Sequence, residues 1–453
     1  MNGNNLSMEE LKKNSAYSEE LLNEVLPVAD EKRILGTPSN FAIWFTCNFA
    51  ITTMLCGMFL IPGLDFKASM LAIIAGCVAG AIPLVLIGII GQKTGLVTMV
   101  ACRATFGPKG AVIPSITNAI ILIAWSWSQA ALGGIALNYV SVKTIGFDNQ
   151  TLFILLTEAL VLVIALYAIK GISMFEKVAM FLVAAIIGAV IFKAFNAYGM
   201  NNILELEGDP LQGMTIMAAF DVSVTMALAW TPMVADYNRN CKSLKAAVLG
   251  TGAGYTLGTI LSMGTGALLI CMILVKGGVI TYEPSEVFSE VGFGMAGALL
   301  IFISIIAANV MNIYSSSMSF LNVFPRFPYK KVAIVIGIIC MLGAAFSGIL
   351  DSFLEFINII AALFMPIFAI MIADYFVVKK QKINIEAVVF PESHNDYAYF
   401  KGINLVAVIV FFVAAIFAAL FTWVYPISTG VTIPTFFLAF FLYIVVMKIT
   451  KQK

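Results

Sequence analysis

Residues 68–90 read ASMLAIIAGCVAGAIPLVLIGII, a run without one charged side chain, bounded by Lys67 before it and by Gln92 and Lys93 after it. A helix needs roughly 20 mostly apolar residues to cross about 30 Å of hydrocarbon, and this run is long enough. Similar stretches recur along the 453 residues, separated by short polar links. Hydrophobic residues make up 61% of the chain, charged ones 11%, and the mean hydropathy is +0.98. Water-soluble domains carry about 25% charged residues, so a soluble reading fails. Barrel strands would show alternating hydrophobicity over about 10 residues, a pattern the sequence lacks. The expected fold class is an all-α polytopic membrane protein.

Twelve spans are expected near 40–62, 68–91, 110–140, 151–168, 176–196, 213–234, 245–275, 291–316, 331–350, 352–378, 403–424 and 430–449. With both termini on one side, that side receives 22 Lys and Arg residues and the other only four: Lys67, Lys143, Lys193 and Lys276. Such asymmetry marks the cytoplasmic side, which predicts a multi-pass protein of the cell (plasma) membrane with both termini cytoplasmic. Residues 1–36 are polar and charged and form an expected cytoplasmic tail, because the first apolar run is too long for a signal-peptide core. Residues 37–453 are expected to form a single transmembrane domain.

Seven cysteines lie scattered, without zinc or disulfide spacing, and read as small buried apolar side chains. The net charge of +1 is dispersed among loops and points to no nucleic-acid partner. Nothing in the sequence calls for a metal, a cofactor or an obligatory protein partner. The acidic stretches 205–209 and 283–290 fall on the outer side, as solvated loops or a cation-attracting vestibule. The only histidine, His394, falls in the loop 379–402, which leaves no histidine relay in the membrane.

Polar groups inside spans need a partner or a wet cavity, so they are the informative ones. The third span holds Trp125 and Gln129, four apart and so on one helix face. An indole beside a carboxamide can stack on a flat ring and hydrogen-bond its edge, or can simply pack. The sixth span holds Asp221 near its outer end, then Trp230 and Pro232. Proline lacks an N–H and disrupts a helix one turn upstream, and broken helices mark binding sites in transporters. A break is therefore expected there, with Asp221 either a proton carrier or a hydrated helix-end residue. The eighth span holds Asn309 and Asn312, three apart. They are interhelical glue or ligand contacts.

These motifs resemble the nucleobase–cation symporter-1 family, to which the cytosine permeases belong. The resemblance rests on Gly91-Gln92-Lys93-Thr94-Gly95-Leu96, on Phe106-Gly107-Pro108-Lys109-Gly110 with Pro114 and Trp125, and on two Ala-Asp-Tyr corners at 235–237 and 373–375. It runs from about residue 40 to 380. It implies a LeuT-type fold of two inverted five-helix repeats, about 37–200 and 210–378, followed by two extra helices at about 403–449. It also implies a midplane site among spans one, three, six and eight, with a planar heterocycle held between two aromatic rings. Trp125 falls at the family's third-span tryptophan, and Gln129 at the glutamine of its hydantoin transporters. The family position of the second aromatic is Ala227, and Trp230 one turn on is the candidate substitute. Asn309 and Asn312 match the family's eighth-span asparagines, and Asn48 is the amide near the expected break of span one.

Sodium-coupled members carry two hydroxyl residues just before that first asparagine, where this chain has Ala307 and Ala308. The resemblance therefore favours H⁺ over Na⁺ as coupling ion, with Asp221 or Glu158 of span four as candidate carrier. Removal from water favours the neutral form of a carboxyl group, a property that a proton carrier uses. The expected function is cation-coupled symport of a small planar nitrogen heterocycle, a nucleobase such as cytosine or a purine. Hydroxymethylpyrimidine and hydantoin or allantoin are the alternatives, as is an amino-acid or amine carrier of the same fold. That last reading needs a charge partner for its substrate, which spans three, six and eight do not supply. No catalytic constellation is visible, so an enzyme is not expected.

Overall fold

The computed structural model describes residues 25–48, 50–167, 169–346, 352–428 and 430–450. Residues 1–24 of the expected tail lie outside the described residues. No strand forms among the described residues, which hold only isolated bridges such as Leu35 with Cys241.

The first expected span is two helices, α1 (Thr37–Cys47) and α2 (Ile51–Met58), meeting at 57°. Asn48 ends α1, and Ala50 is extended before α2. Next comes α3 (Phe66–Thr94), which starts on Asp65, whose carboxylate accepts from the Ala68 N–H, and stops at Gly95 with φ +72°. A left-handed residue there suits glycine, which has no Cβ to clash. A short, wholly buried α4 (Thr98–Phe106) follows. Then come α5 (Val112–Ile145), α6 (Gln150–Tyr167), α7 (Ile169–Lys193) and α8 (Ile216–Asn238). After them stand α9 (Thr251–Val275), the short α10 (Pro284–Glu290), α11 (Gly294–Val323) and α12 (Tyr329–Ala344). The chain closes with α13 (Phe353–Ile372), α14 (Leu405–Ala419) and α15 (Thr432–Thr450). Nine helices of the described residues are long and apolar enough to cross a membrane, and the bent α1–α2 pair makes a tenth. The shorter α6 and α12 stand where the fourth and ninth spans are expected.

One expectation is corrected. The helix of the sixth span runs unbroken from Ile216 to Asn238 with Pro232 inside it. Proline removes one ladder bond, and neighbours in a membrane bundle re-satisfy the freed groups. Thr231, whose hydroxyl donates to the Ala227 carbonyl at 2.8 Å, supplies a polar contact in that turn. The break implied for the first span is present, at a point with no proline.

Two helix pairs are joined by glycine. Along α9, Gly254 and Gly258 lie against α1 so closely that a Cβ on Gly258 would stand 2.6 Å from the Phe45 carbonyl oxygen. Along α3, a Cβ on Gly80 would stand 2.8 Å from the Val224 carbonyl oxygen of α8. Backbone-to-backbone approach of this kind is how helices associate where lipid removes the hydrophobic drive.

The buried α4 is held at both ends by the two Ala-Asp-Tyr corners. Asp236, at the end of α8, accepts from the Thr98 N–H at 2.8 Å and its hydroxyl at 3.2 Å. Asp374, just past α13, accepts from the Thr105 hydroxyl at 2.8 Å, from the Tyr443 hydroxyl at 2.9 Å, and from Lys379.

Candidate substrate site

The helical period puts Trp125 and Gln129 on one face of α5, and Asn309 and Asn312 on one face of α11. The structure brings these two faces together. The Asn312 amide donates to Gln129 Oε1 at 3.1 Å and to Asn309 Oδ1 at 3.3 Å. The Asn309 amide donates to Glu158 Oε2 of α6 at 2.7 Å, and Ser126 of α5 donates its hydroxyl to Glu158 Oε1 at 2.8 Å. Five side chains from three helices thus form one continuous chain of hydrogen bonds, all of them buried. Glu158 is 0% exposed, and no basic side chain pairs with it among the described residues. A carboxylate buried this way is costly unless its oxygens are satisfied, and two neutral donors satisfy them here.

Trp125 lies beside this chain. Its ring meets Phe353 at 5.7 Å and Phe356 at 5.1 Å, both near perpendicular. Those two phenylalanines of α13 were not legible as site residues, because nothing in the sequence pairs span ten with span three. Ser126 was missed too: it sits between two tryptophans, and its partner lies 32 residues away.

The remaining candidates are placed elsewhere. Trp230 packs edge-on to Trp44 of α1 at 6.2 Å, and Trp44 in turn meets Tyr237 at 5.7 Å. Ala227, the family position for a second ring, lies against Gly80 of α3. Asn48 donates to the Trp44 carbonyl at 2.8 Å, and its Oδ1 is buried with no partner, beside the break in span one. Asp221 accepts from the backbone N–H groups of Val431 at 2.7 Å and Thr432 at 3.3 Å. It ties the outer end of α8 to the start of α15, apart from the Glu158 chain.

A sequence profile described as "Permease for cytosine/purines, uracil, thiamine, allantoin" matches residues 27–445. The chain belongs to this permease family. Among its relatives, the hydantoin permease of Microbacterium maritypicum is 25% identical over 407 residues, covering 86% of this chain and 82% of the relative. The cytosine permease of Escherichia coli K12 is 24% identical over 328 residues, covering 72% and 75%. The inward-facing conformation of Mhp1 superposes with a TM-score of 0.82 at 23% identity, over 94% of this chain and 93% of Mhp1. Mhp1 in a closed conformation with bromovinylhydantoin bound gives 0.76 at 24% identity, over 96% of each chain. The architecture is therefore the LeuT-type fold, and this permease is a multi-pass membrane protein, not an enzyme.

Proposed function

We propose that this permease is a cation-coupled symporter importing a small planar nitrogen heterocycle by alternating access, a nucleobase such as cytosine or a purine. The observation that carries the reading is the Gln129–Asn312–Asn309 chain of carboxamides beside the Trp125 ring. An aromatic face stacks on any flat ring, worth about 1–3 kcal/mol per base in other settings. Carboxamides both donate and accept, which suits the alternating N–H and C=O edge of a nucleobase, a hydantoin or allantoin. Among the described residues, the one charged side chain hydrogen-bonded into this group is Glu158, which two donors already hold. Hydantoin or allantoin is the second reading, favoured by the Gln129–Asn312 pair.

The proposed coupling ion is the proton and the proposed carrier is Glu158. Its carboxyl is bonded to Asn309, which is bonded to Asn312, so its protonation state and the geometry of the binding amides are linked by two hydrogen bonds. Asp221 bonds backbone amides at the other end of α8 and lacks that link. The termini are placed in the cytoplasm, in the plasma membrane, on the strength of the Lys and Arg asymmetry.

The test is uptake of radiolabelled cytosine, uracil, hypoxanthine, hydantoin and allantoin into proteoliposomes, under a proton gradient without sodium and under a sodium gradient at fixed pH. Accumulation of one of these rings driven by the proton gradient is expected. Accumulation that collapses without sodium would overturn proton coupling, and transport of an amino acid or amine alone would overturn the heterocycle reading.

A further inference from the structure

The hydrogen bonds between α5 and α11 do not stop at the Trp125 site. They form three rungs: Gln129 with Asn312 at 3.1 Å, Asn118 with Ser319 at 2.8 Å, and Ser115 with Asn322 at 2.9 Å. On α11 the step from Asn312 to Ser319 is seven residues, two turns or about 10 Å along the axis. Both helices descend toward the side carrying most Lys and Arg, where Arg103 donates to Asn322 Oδ1 at 2.6 Å and closes the last rung.

Beside the middle and last rungs lies a cavity of about 220 Å³, lined by Asn118, Tyr237, Tyr314, Ser315, Ser319 and Asn322 among others. None of Trp125, Gln129, Asn309 and Asn312 lines it. Its size is under the roughly 300–1,000 Å³ of pockets that take drug-sized molecules and suits one small ring. The two charged side chains on its wall are engaged: Asp236 accepts from Thr98, and Arg239 donates to the Leu26 carbonyl at 3.5 Å.

The middle rung is incomplete. Asn118 is 1% exposed, and while its amide nitrogen donates to Ser319, its Oδ1 has no hydrogen-bond partner. A buried polar atom left unpaired carries a penalty of about 1–3 kcal/mol, and a small turn of the Asn118 amide, on a residue of the cavity wall, brings its Oδ1 to an outside donor. The hydroxyl of Ser315, on the same wall, has no hydrogen-bond partner among the described residues. Two tyrosine rings, an unpaired amide oxygen and a free hydroxyl repeat, in weaker form, the chemistry of the Trp125 site.

We propose that this cavity is a second subsite for a neutral planar heterocycle, which donates a ring N–H to Asn118 Oδ1 and rests on the tyrosines after leaving the Trp125 site for the cytoplasm. The proposal rests on the function proposed above.

Equilibrium binding of radiolabelled uracil, cytosine and hydantoin to purified full-length protein tests it. Wild type is expected to bind two molecules of a recognised ring per chain. Asn118→Leu and, separately, Ser315→Leu fill the cavity from different helices, and each is expected to leave one; the ring still held shows that the variant is folded. Trp125→Ala is expected to leave one as well, and Trp125→Ala with Asn118→Leu none. A single bound ring that Trp125→Ala abolishes and Asn118→Leu spares would overturn the second subsite and leave the proposed function standing. Two bound rings that neither cavity-filling variant reduces would also overturn it. No binding of any of the three rings to wild type would overturn both.

Discussion

The contact of α9 with α1 and the contact of α5 with α11 solve one problem in opposite ways. In the first, glycines let two backbones touch, and a Cβ on Gly254 would stand 2.5 Å from the Phe41 carbonyl oxygen. In the second, side-chain amides and hydroxyls cross the gap in rungs. Lipid gives neither pair a hydrophobic reason to associate, so contact must come from close packing or from polar bonds. The glycine seam is exact in shape and accepts no atom more. The rungs are made of groups that exchange partners, so a ligand can replace one of them. The seam therefore holds helices together as a unit, and the ladder is where the proposed recognition resides.

Breaking the seam is expected to have the largest effect. Gly258→Leu places a side chain against the α1 backbone, and overpacking of this kind destabilises by about 1–3 kcal/mol or more. Monodisperse protein after detergent extraction should fall steeply, read by fluorescence-detected gel filtration. Wild-type yield and melting temperature in that variant would show that the seam is looser than described. Trp125→Ala should do the reverse, with the protein still folded and monodisperse and ring affinity lower by on the order of 1–3 kcal/mol, roughly five- to 150-fold in Kd. Retained affinity by isothermal titration would make the tryptophan a packing residue only.

Glu158→Gln sharpens the comparison within the ladder. An amide still bonds Ser126 and Asn309 but cannot release a proton. Ring binding is expected within about threefold of wild type, with proton-driven accumulation lost and exchange of internal for external ring retained. Accumulation as in wild type would remove Glu158 as carrier. Ser126→Ala leaves Glu158 Oε1 without its donor and should lower stability by about 1–3 kcal/mol. Smallest of all should be Asp221→Asn, because an amide oxygen can still accept from Val431 and Thr432. A proton-uptake defect there as large as that of Glu158→Gln would move the carrier to the outer rim.

Spans and fold class were legible because hydrocarbon thickness imposes a length that composition reveals directly. The pairs Trp125–Gln129 and Asn309–Asn312 were legible because helical spacing places each on one face. What joins them was not: Glu158 reaches Asn309 across 151 positions, and no local pattern specifies a partner that far away. Phe353 and Phe356 were hidden for the same reason. Pro232 misled because the rule for proline concerns one lost bond, whereas helix continuity depends on the whole surrounding bundle. The break in span one was expected from the family resemblance alone, since Thr46, Cys47, Asn48 and Ala50 carry no local signal as plain as a proline.

The buried α4 has a mechanical meaning. It is a strut nine residues long, about 13 Å at 1.5 Å per residue, pinned to the end of α8 by Asp236 and to the end of α13 by Asp374. The glycine-packed helices reach it through α8, and the ring-bearing α13 reaches it from the other side. While both pins hold, the separation of those two ends is set by the length of the helix between them. Under the alternating access proposed above, such a linkage would time the two openings.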